Sequence, residues 1–370
     1  MSSSKTFCLL LSENCNFACT YCYERSGKGH NKNNMTKDVA RDVLDYAFKE
    51  SDKEVSLSLF GGEPTLNPAV IDFICTRGKE MAIEQKKKFH VGMITNGSLM
   101  NRNLYDILSK HIDIFRDLQL SIDGKKDTQD LTRVKKDGSG SFSDVDKAIP
   151  YWKALFPDLS IHGVLSQDTM GEMFDNYKFF KEEWGVESLW FLPAKDDRYT
   201  DKDIALYDSE MGKLTDYIME RVRKSRDIRL LKSYQPLNKA LDPSHGLHKP
   251  CGIGDNYQVI TTKGDIWPCH HLYFIDIDDS TKLGSVYDGV NSNRARVWQD
   301  FDADDMIGCE KCEHTHCFRC PAENYEANGS PFIQITGTHC SFMDVDVKYQ
   351  TQIKNELIEM GLIKNQTGRK

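Results

Sequence analysis

Three cysteines in one short stretch, Cys15-x3-Cys19-x2-Cys22, offer three thiolates on a single loop. A cubane 4Fe–4S cluster normally takes four cysteines, so three would leave one iron open to another ligand. With a remote fourth ligand the same triplet could hold zinc instead. A second dense group is Cys309-x2-Cys312-x4-Cys317-x2-Cys320, flanked by Cys251, Cys269 and Cys340. Its paired Cys-x2-Cys knuckles also suit zinc. Cys8 and Cys75 stand apart in apolar surroundings and are expected to be small core residues. His270, His271, His314 and His316 lie near the second group and are expected to be surface or hydrogen-bonding residues.

The compartment decides how so many thiols are read. The start of the chain has one Lys and too short an apolar run for a signal peptide. No stretch approaches the roughly 18 apolar residues of a membrane span. A cytoplasmic protein is expected, where disulfides are rare and metal ligation is the usual use of clustered cysteines. The net charge of −8 argues against a nucleic-acid footprint. The run Lys86-Lys87-Lys88 is expected to be a solvated helix tip.

These groups need elements to hold them. Strands are expected at Thr6–Leu11, Val55–Phe60, His90–Ile94, Leu118–Ile122, Leu159–Leu165 and Ser188–Leu192, most of them apolar as buried parallel strands are. Between them, helices are expected at Thr36–Lys49, Ala69–Glu84, Arg102–Lys110, Ser143–Leu155 and Met173–Glu183. Six such repeats predict an α/β fold, an open, partial (β/α)6 version of the TIM-like barrel. Chemistry in barrels sits on loops after the strands' carboxyl ends, and the unusual residues do follow strands. Cys15–Cys22, Gly61-Gly62-Glu63-Pro64, Thr95-Asn96-Gly97, Ser121-Ile122-Asp123-Gly124 and Ser166 each close or follow one. Four segments are expected: the barrel over 1–195, a helical bridge over 196–245 with its clearest helix at Ile204–Arg221, a cysteine-rich domain over 246–345, and a C-terminal helix and tail over 346–370. The third is poor in periodicity and would rely on metal ligation to fold.

Cys-x3-Cys-x2-Cys with Tyr21 before the last cysteine resembles the signature of the radical S-adenosylmethionine (SAM) superfamily. The resemblance implies that the open iron chelates the amino and carboxylate groups of SAM, and that an electron from the cluster cleaves SAM to methionine and a 5′-deoxyadenosyl radical. Gly61-Gly62-Glu63-Pro64 resembles the family's GGEP motif, which implies that its main chain and Glu63 receive the SAM amino group. Ser121, Asp123 and Arg133 resemble the contacts to the SAM carboxylate and ribose. Many relatives have His-Asp before that arginine, where this chain has Gln129-Asp130. Gly138–Phe142 also matches relatives, Ser166 resembles a ribose contact, and Leu192 is a candidate for lining the adenine.

The order Cys251, Cys269, Cys309, Cys312, Cys317, Cys320 and Cys340, with Gly264-Asp265-Ile266-Trp267-Pro268-Cys269-His270, resembles a SPASM domain. Two inner gaps are one residue shorter than the usual Cys-x2-Cys-x5-Cys-x3-Cys. The resemblance implies two auxiliary 4Fe–4S clusters, three in all with the SAM cluster. Cys251, Cys269 and Cys320 would hold the first, and Cys309, Cys312, Cys317 and Cys340 the second. Seven cysteines are one short of two full sets, and the interval Gly252–Pro268 lacks the extra cysteine of some relatives, including sulfatase-maturing enzymes. The first auxiliary cluster is then expected to have an open iron for a substrate thiolate, unless Asp255, His270 or another side chain fills the position.

What the resemblance implies is an enzyme that modifies peptides. The first expectation is oxidative cross-linking, a thioether included, of a ribosomally made precursor (RiPP) peptide. The second is oxidation of a sulfatase Ser or Cys to formylglycine. The third, of another class, is a non-catalytic iron–sulfur or zinc protein for binding or electron transfer. An external electron donor such as flavodoxin or ferredoxin is expected. The chain starts directly with the first barrel strand, so a leader-binding domain is expected from a separate partner or not at all.

Overall fold

Apolar runs alternating with amphipathic stretches become strands and helices in turn. The computed structural model describes residues 5–24, 33–195, 198–238, 251–275, 279–302, 305–309, 312, 320–335 and 337–364. In order come β1 (Lys5–Ser12), α1 (Lys37–Lys49), β2 (Glu54–Gly61), α2 (Pro68–Gln85), β3 (Lys88–Thr95), α3 (Arg102–Lys110), β4 (Phe115–Ser121), α4 (Lys126–Thr132) and α5 (Phe142–Leu155). Then follow β5 (Ser160–Leu165), α6 (Met173–Glu182), β6 (Ser188–Pro193), α7 (Asp201–Ser225) and α8 (Gln235–Asn238). The cysteine-rich part adds β7 (Tyr257–Ile260), β8 (Asp265–Trp267), α9 (His270–Ile275), β9 (Gly284–Ser285), β10 (Gly289–Val290), α10 (Ser292–Gln299), α11 (Pro321–Asn328) and α12 (Thr338–Glu359). Thr36 caps α1 by accepting from Val39 N at 3.2 Å. Pro68 opens α2, while Asn67 turns its amide to Leu11 O and Met35 O at 3.1 and 2.9 Å instead of capping.

β1 to β6 lie side by side in chain order, all parallel, with helices on one face. This is the expected α/β, TIM-like arrangement. Residues of alternate parity, such as Val55, Leu57 and Leu59 of β2, pack beneath those helices in the main core. The opposite, inner face carries Ser56, Ser58, Gly92, Gln119, Ser121 and His162, all half-buried.

The sheet does not stop at β1. β7 pairs with it in parallel, Phe7 opposite Gln258, and β8, β9 and β10 continue antiparallel. The described residues thus form one ten-stranded sheet, β10-β9-β8-β7-β1-β2-β3-β4-β5-β6. β1 is consequently buried on both faces: Cys8 and Leu10 pack with Val259 and Trp267 in a separate apolar cluster. The stretch from 246 onward therefore contains regular structure that its composition hid. The C-terminal helix also starts earlier than its periodicity indicated, at Thr338. It lies along α7 through an Arg223–Glu356 ion pair and a Tyr207 Oη–Asp346 hydrogen bond of 2.7 Å.

Cys8 and Cys75 are core residues as expected, 1% and 0% exposed. The lysine run is not a uniformly solvated tip. Lys87 Nζ donates to Phe48 O and Ser51 O at 2.5 and 2.7 Å, tying the end of α1 to the start of β3. Its neighbours Lys86 and Lys88 are exposed. Among the described residues no helix is long and apolar enough to cross a membrane.

Candidate active site

Cys15, Cys19 and Cys22 lie on the loop after β1, and neighbouring strands fix that loop from both sides. Glu63 N donates to Asn14 O at 2.8 Å, Ala18 N to Val134 O at 2.8 Å, and Thr20 N to Thr132 O at 2.9 Å. The segment 132–136 therefore acts as a short partner strand to the cysteine loop, a role the sequence did not announce. Asn96, after β3, donates to Asn16 Oδ1 at 2.8 Å and lies 3.9 Å from Cys15 Sγ. Burial raises the pKa of Cys15, helped by Glu63 and the other two cysteines. Burial also pushes Cys19 up to about 12, against the pull of Arg133.

The Gly61–Pro64 turn at the end of β2 is fixed by its backbone and by the Glu63 carboxylate. Gly61 has φ +113°, and a Cβ there would stand 2.4 Å from Ser12 O, so glycine is required by the backbone of β1 itself. Glu63 is buried, and its carboxylate accepts from Thr65 N (3.0 Å), Thr65 Oγ1 (2.5 Å), Thr95 Oγ1 (2.6 Å) and Asn96 N (2.8 Å). Burial raises its pKa even against these four bonds. Glu63 thus braces the loops after β2 and β3.

Asp123, fully buried after β4, is the hub of the next network. It accepts from Tyr21 Oη (2.5 Å), Thr132 Oγ1 (2.6 Å), Arg133 Nε (2.9 Å) and Val164 N (2.8 Å). The Arg133 guanidinium also sits 5.5 Å from the centre of the Tyr21 ring. Burial opposes the Arg133 charge, but Asp123, Tyr21 and Cys19 outweigh it and raise its pKa. Gln129, fully buried on α4, accepts from Asp123 N at 2.9 Å and donates to Ser141 Oγ at 3.1 Å. The departure from the His-Asp of relatives thus gives this chain a structural amide. Ser121 lies half-buried on the inner face, next to these groups.

Ser166 starts the turn after β5, with its N 3.0 Å and its Oγ 3.1 Å from Thr169 Oγ1. Leu192 is 49% exposed, sharing its side of β6 with Trp190, which stacks on His162.

The C-terminal cysteines separate into two neighbourhoods. Cys251, Cys269 and Cys320 are mutually close enough for their charges to interact. Burial lifts the first two to about 11 and the third to about 12. Cys269 Sγ accepts from His271 N at 3.2 Å, and Cys320 is the N-cap of α11. Cys340, in the first turn of α12, interacts with Cys312, whose N donates to Cys309 O at 2.9 Å. Cys317, His314 and His316 lie outside the described residues. His271 is 3% exposed and lies 2.7 Å from Glu326, and His270 lies 3.1 Å from Tyr257 Oη: both are hydrogen-bonding residues of the interior. Tyr23, one residue after Cys22, packs its ring against His270 and His271, so the first cysteine loop touches the second set.

Among the described residues no three His, Cys, Asp or Glu side chains are drawn together as for a single metal ion. An iron–sulfur cubane holds its thiolates further apart than one ion does. The donor chemistry fits such a group: thiols this buried ionise only beside a compensating positive charge, which bound iron supplies.

Residues 9–180 match the family model for the Radical SAM superfamily. A cysteine-type anaerobic sulfatase-maturating enzyme of Clostridium perfringens is 26% identical over 329 residues, 82% of this chain and 84% of that protein. The solved structure of native anSMEcpe with bound AdoMet superposes with a TM-score of 0.75 at 20% identity, covering 95% of this chain and 99% of that one. Streptococcus suis SuiB bound to its precursor peptide SuiA gives 0.62 at 16% identity, over 92% and 76% of the two chains. With the cysteine loop, the braced glycine turn and the barrel sheet in place, residues 9–180 are a radical SAM domain, and the chain is an enzyme similar to anaerobic sulfatase-maturating enzymes.

Proposed function

We propose that the chain matures a ribosomally made precursor peptide by forming an oxidative cross-link, with a thioether as the bond that best suits its cysteine inventory. The observation that carries this reading is the contact between the two cysteine neighbourhoods, Tyr23 beside Cys22 packing on His270 and His271 beside Cys269. On this reading the contact supports electron transfer between the two cysteine neighbourhoods.

Cys15, Cys19 and Cys22 would hold the SAM cluster, which with SAM supplies a 5′-deoxyadenosyl radical that takes one hydrogen atom from the substrate. Tyr21, Asp123 and Arg133 keep the loop in place, while the Gly61-Gly62-Glu63 turn, Ser121, Ser166 and Leu192 border the space for SAM. The substrate carbon radical then bonds to a thiol sulfur. That step releases one proton and one electron; Cys251, Cys269 and Cys320 would hold the first auxiliary cluster, which would supply an acceptor for that electron. Cys309, Cys312, Cys317 and Cys340 would hold the second. Flavodoxin or ferredoxin would supply the electron that starts each cycle, and a separate protein could present the leader peptide.

Conversion of a sulfatase Ser or Cys to formylglycine is the second reading, favoured by similarity along most of both chains to the Clostridium perfringens enzyme. Mass spectrometry separates the two with a cysteine-containing peptide: a cross-link loses two hydrogens and keeps its sulfur, whereas formylglycine from cysteine loses the sulfur. Iron, sulfide and zinc analysis tests the cluster reading beneath both. About twelve irons, falling to about eight in the Cys15/Cys19/Cys22→Ala variant, is the expected result for three cubanes. About four irons with stoichiometric zinc would overturn it. Bound clusters without SAM cleavage under strong reductant would leave a non-catalytic electron-transfer protein.

A further inference from the structure

Lys195, just past the end of β6, reaches into the second cysteine neighbourhood. Its Nζ lies 2.9 Å from Glu323 Oε1, three residues after Cys320, and 3.4 Å from His271 Nδ1, two residues after Cys269. It also stands 5.6 Å from the centre of the Tyr23 ring, next to Cys22. Cys320 and Cys269 are both within reach of its charge. An ammonium only donates, so His271 Nδ1 accepts from it and Nε2–H faces Glu326 at 2.7 Å. One cation is therefore held by groups from both cysteine loops, at the point where the loops meet.

We propose that Lys195 is a positioning residue that raises the reduction potential of the iron–sulfur group held by Cys251, Cys269 and Cys320, with Glu323 as its counterweight. The inference rests on the proposed reading of those cysteines as a cluster site. Each electron added to a thiolate-bound cluster increases its negative charge, so a fixed cation nearby favours the reduced state and a fixed carboxylate opposes it. With its side chain 35% exposed, Lys195 acts in a partly solvated place, which weakens the effect without changing its sign. The arrangement would make this cluster the better acceptor of the electron that the substrate radical gives up.

The test is a redox titration, followed by electron paramagnetic resonance, in the Cys15/Cys19/Cys22→Ala background. There only auxiliary signals remain, and the second cluster serves as an internal reference. Lys195→Met is expected to move one midpoint to a more negative potential and leave the other in place. Lys195→Arg should keep both, and Glu323→Gln should move the first upward. Full iron content with unmoved midpoints in Lys195→Met overturns the inference and leaves the cluster reading standing. If Lys195→Met loses iron, Glu323→Gln decides: an upward shift supports the role and no shift overturns it. A background variant with no auxiliary iron removes the cluster reading, and this inference with it.

Discussion

Arg133 donates its Nε–H to Asp123 Oδ1 at 2.9 Å with both side chains withdrawn from solvent. This pair joins the segment that partners the cysteine loop to the carboxyl end of β4. Its strength comes from the hydrogen bonds around it, since Tyr21, Thr132 and Val164 all donate to the same carboxylate.

Asp123→Ala leaves a guanidinium buried without its partner and removes the acceptor for three further donors. Loss of one member of such a pair costs about 3–5 kcal/mol. The expected outcome is a fall of that size in denaturant unfolding free energy, with loss of iron from the loop at matched protein concentration.

Gly61→Ala meets two obstacles, a positive φ and a backbone oxygen 2.4 Å from the new Cβ. Strain and overpacking together predict a destabilisation of about 2–4 kcal/mol. The denaturation midpoint measures it. An alanine that left the midpoint unchanged would mean that β1 and β2 diverge at this turn.

His162 supplies a pH dependence. Burial, then Arg133, lowers its pKa to about 4 from an ordinary 6.5. Between those values the unfolded chain binds more protons than the folded one, so this contribution to stability is complete above about 6.5 and lost as pH falls toward 4. Its Nε2 is buried with no hydrogen-bond partner among the described residues, so the folded state has no acceptor for a second proton. His162→Gln should flatten the stability profile of the wild type between these pH values, as read by urea unfolding at several pH values.

Tyr207→Phe removes the hydroxyl that donates to Asp346 between α7 and α12. About 1–3 kcal/mol of stability should be lost. Because α12 also carries Cys340, hydrogen exchange should rise along that helix more than in the β1–β6 sheet.

The six barrel strands and most helices were legible because their apolar residues repeat with the periods of strand and helix. Arg102–Lys110 was located to the residue. Motif loops were legible from their residue types, but how a side chain is used was not. That the Glu63 oxygens accept from Thr65, Thr95 and Asn96 is not written in the motif itself. α4 went unrecognised because its seven residues include only one large apolar side chain, Leu131, and that one is half exposed. β7 and β8 are three or four residues long, too short for a period to show, and are set by pairing with β1. The meeting of Lys195 with Glu323 and His271 joins residues far apart in sequence, which no local pattern records.

The pairing of β7 on β1 makes the two halves of the molecule inseparable. A fragment ending before residue 250 would bare the edge of β1, whose Phe7, Leu9, Leu10 and Leu11 are fully buried in the whole chain. A bare apolar strand edge recruits other strands. Such a fragment would self-associate, however intact its own cysteine loop. The last third of the chain is therefore a folding partner of the first strand, and the two must be made, and altered, together.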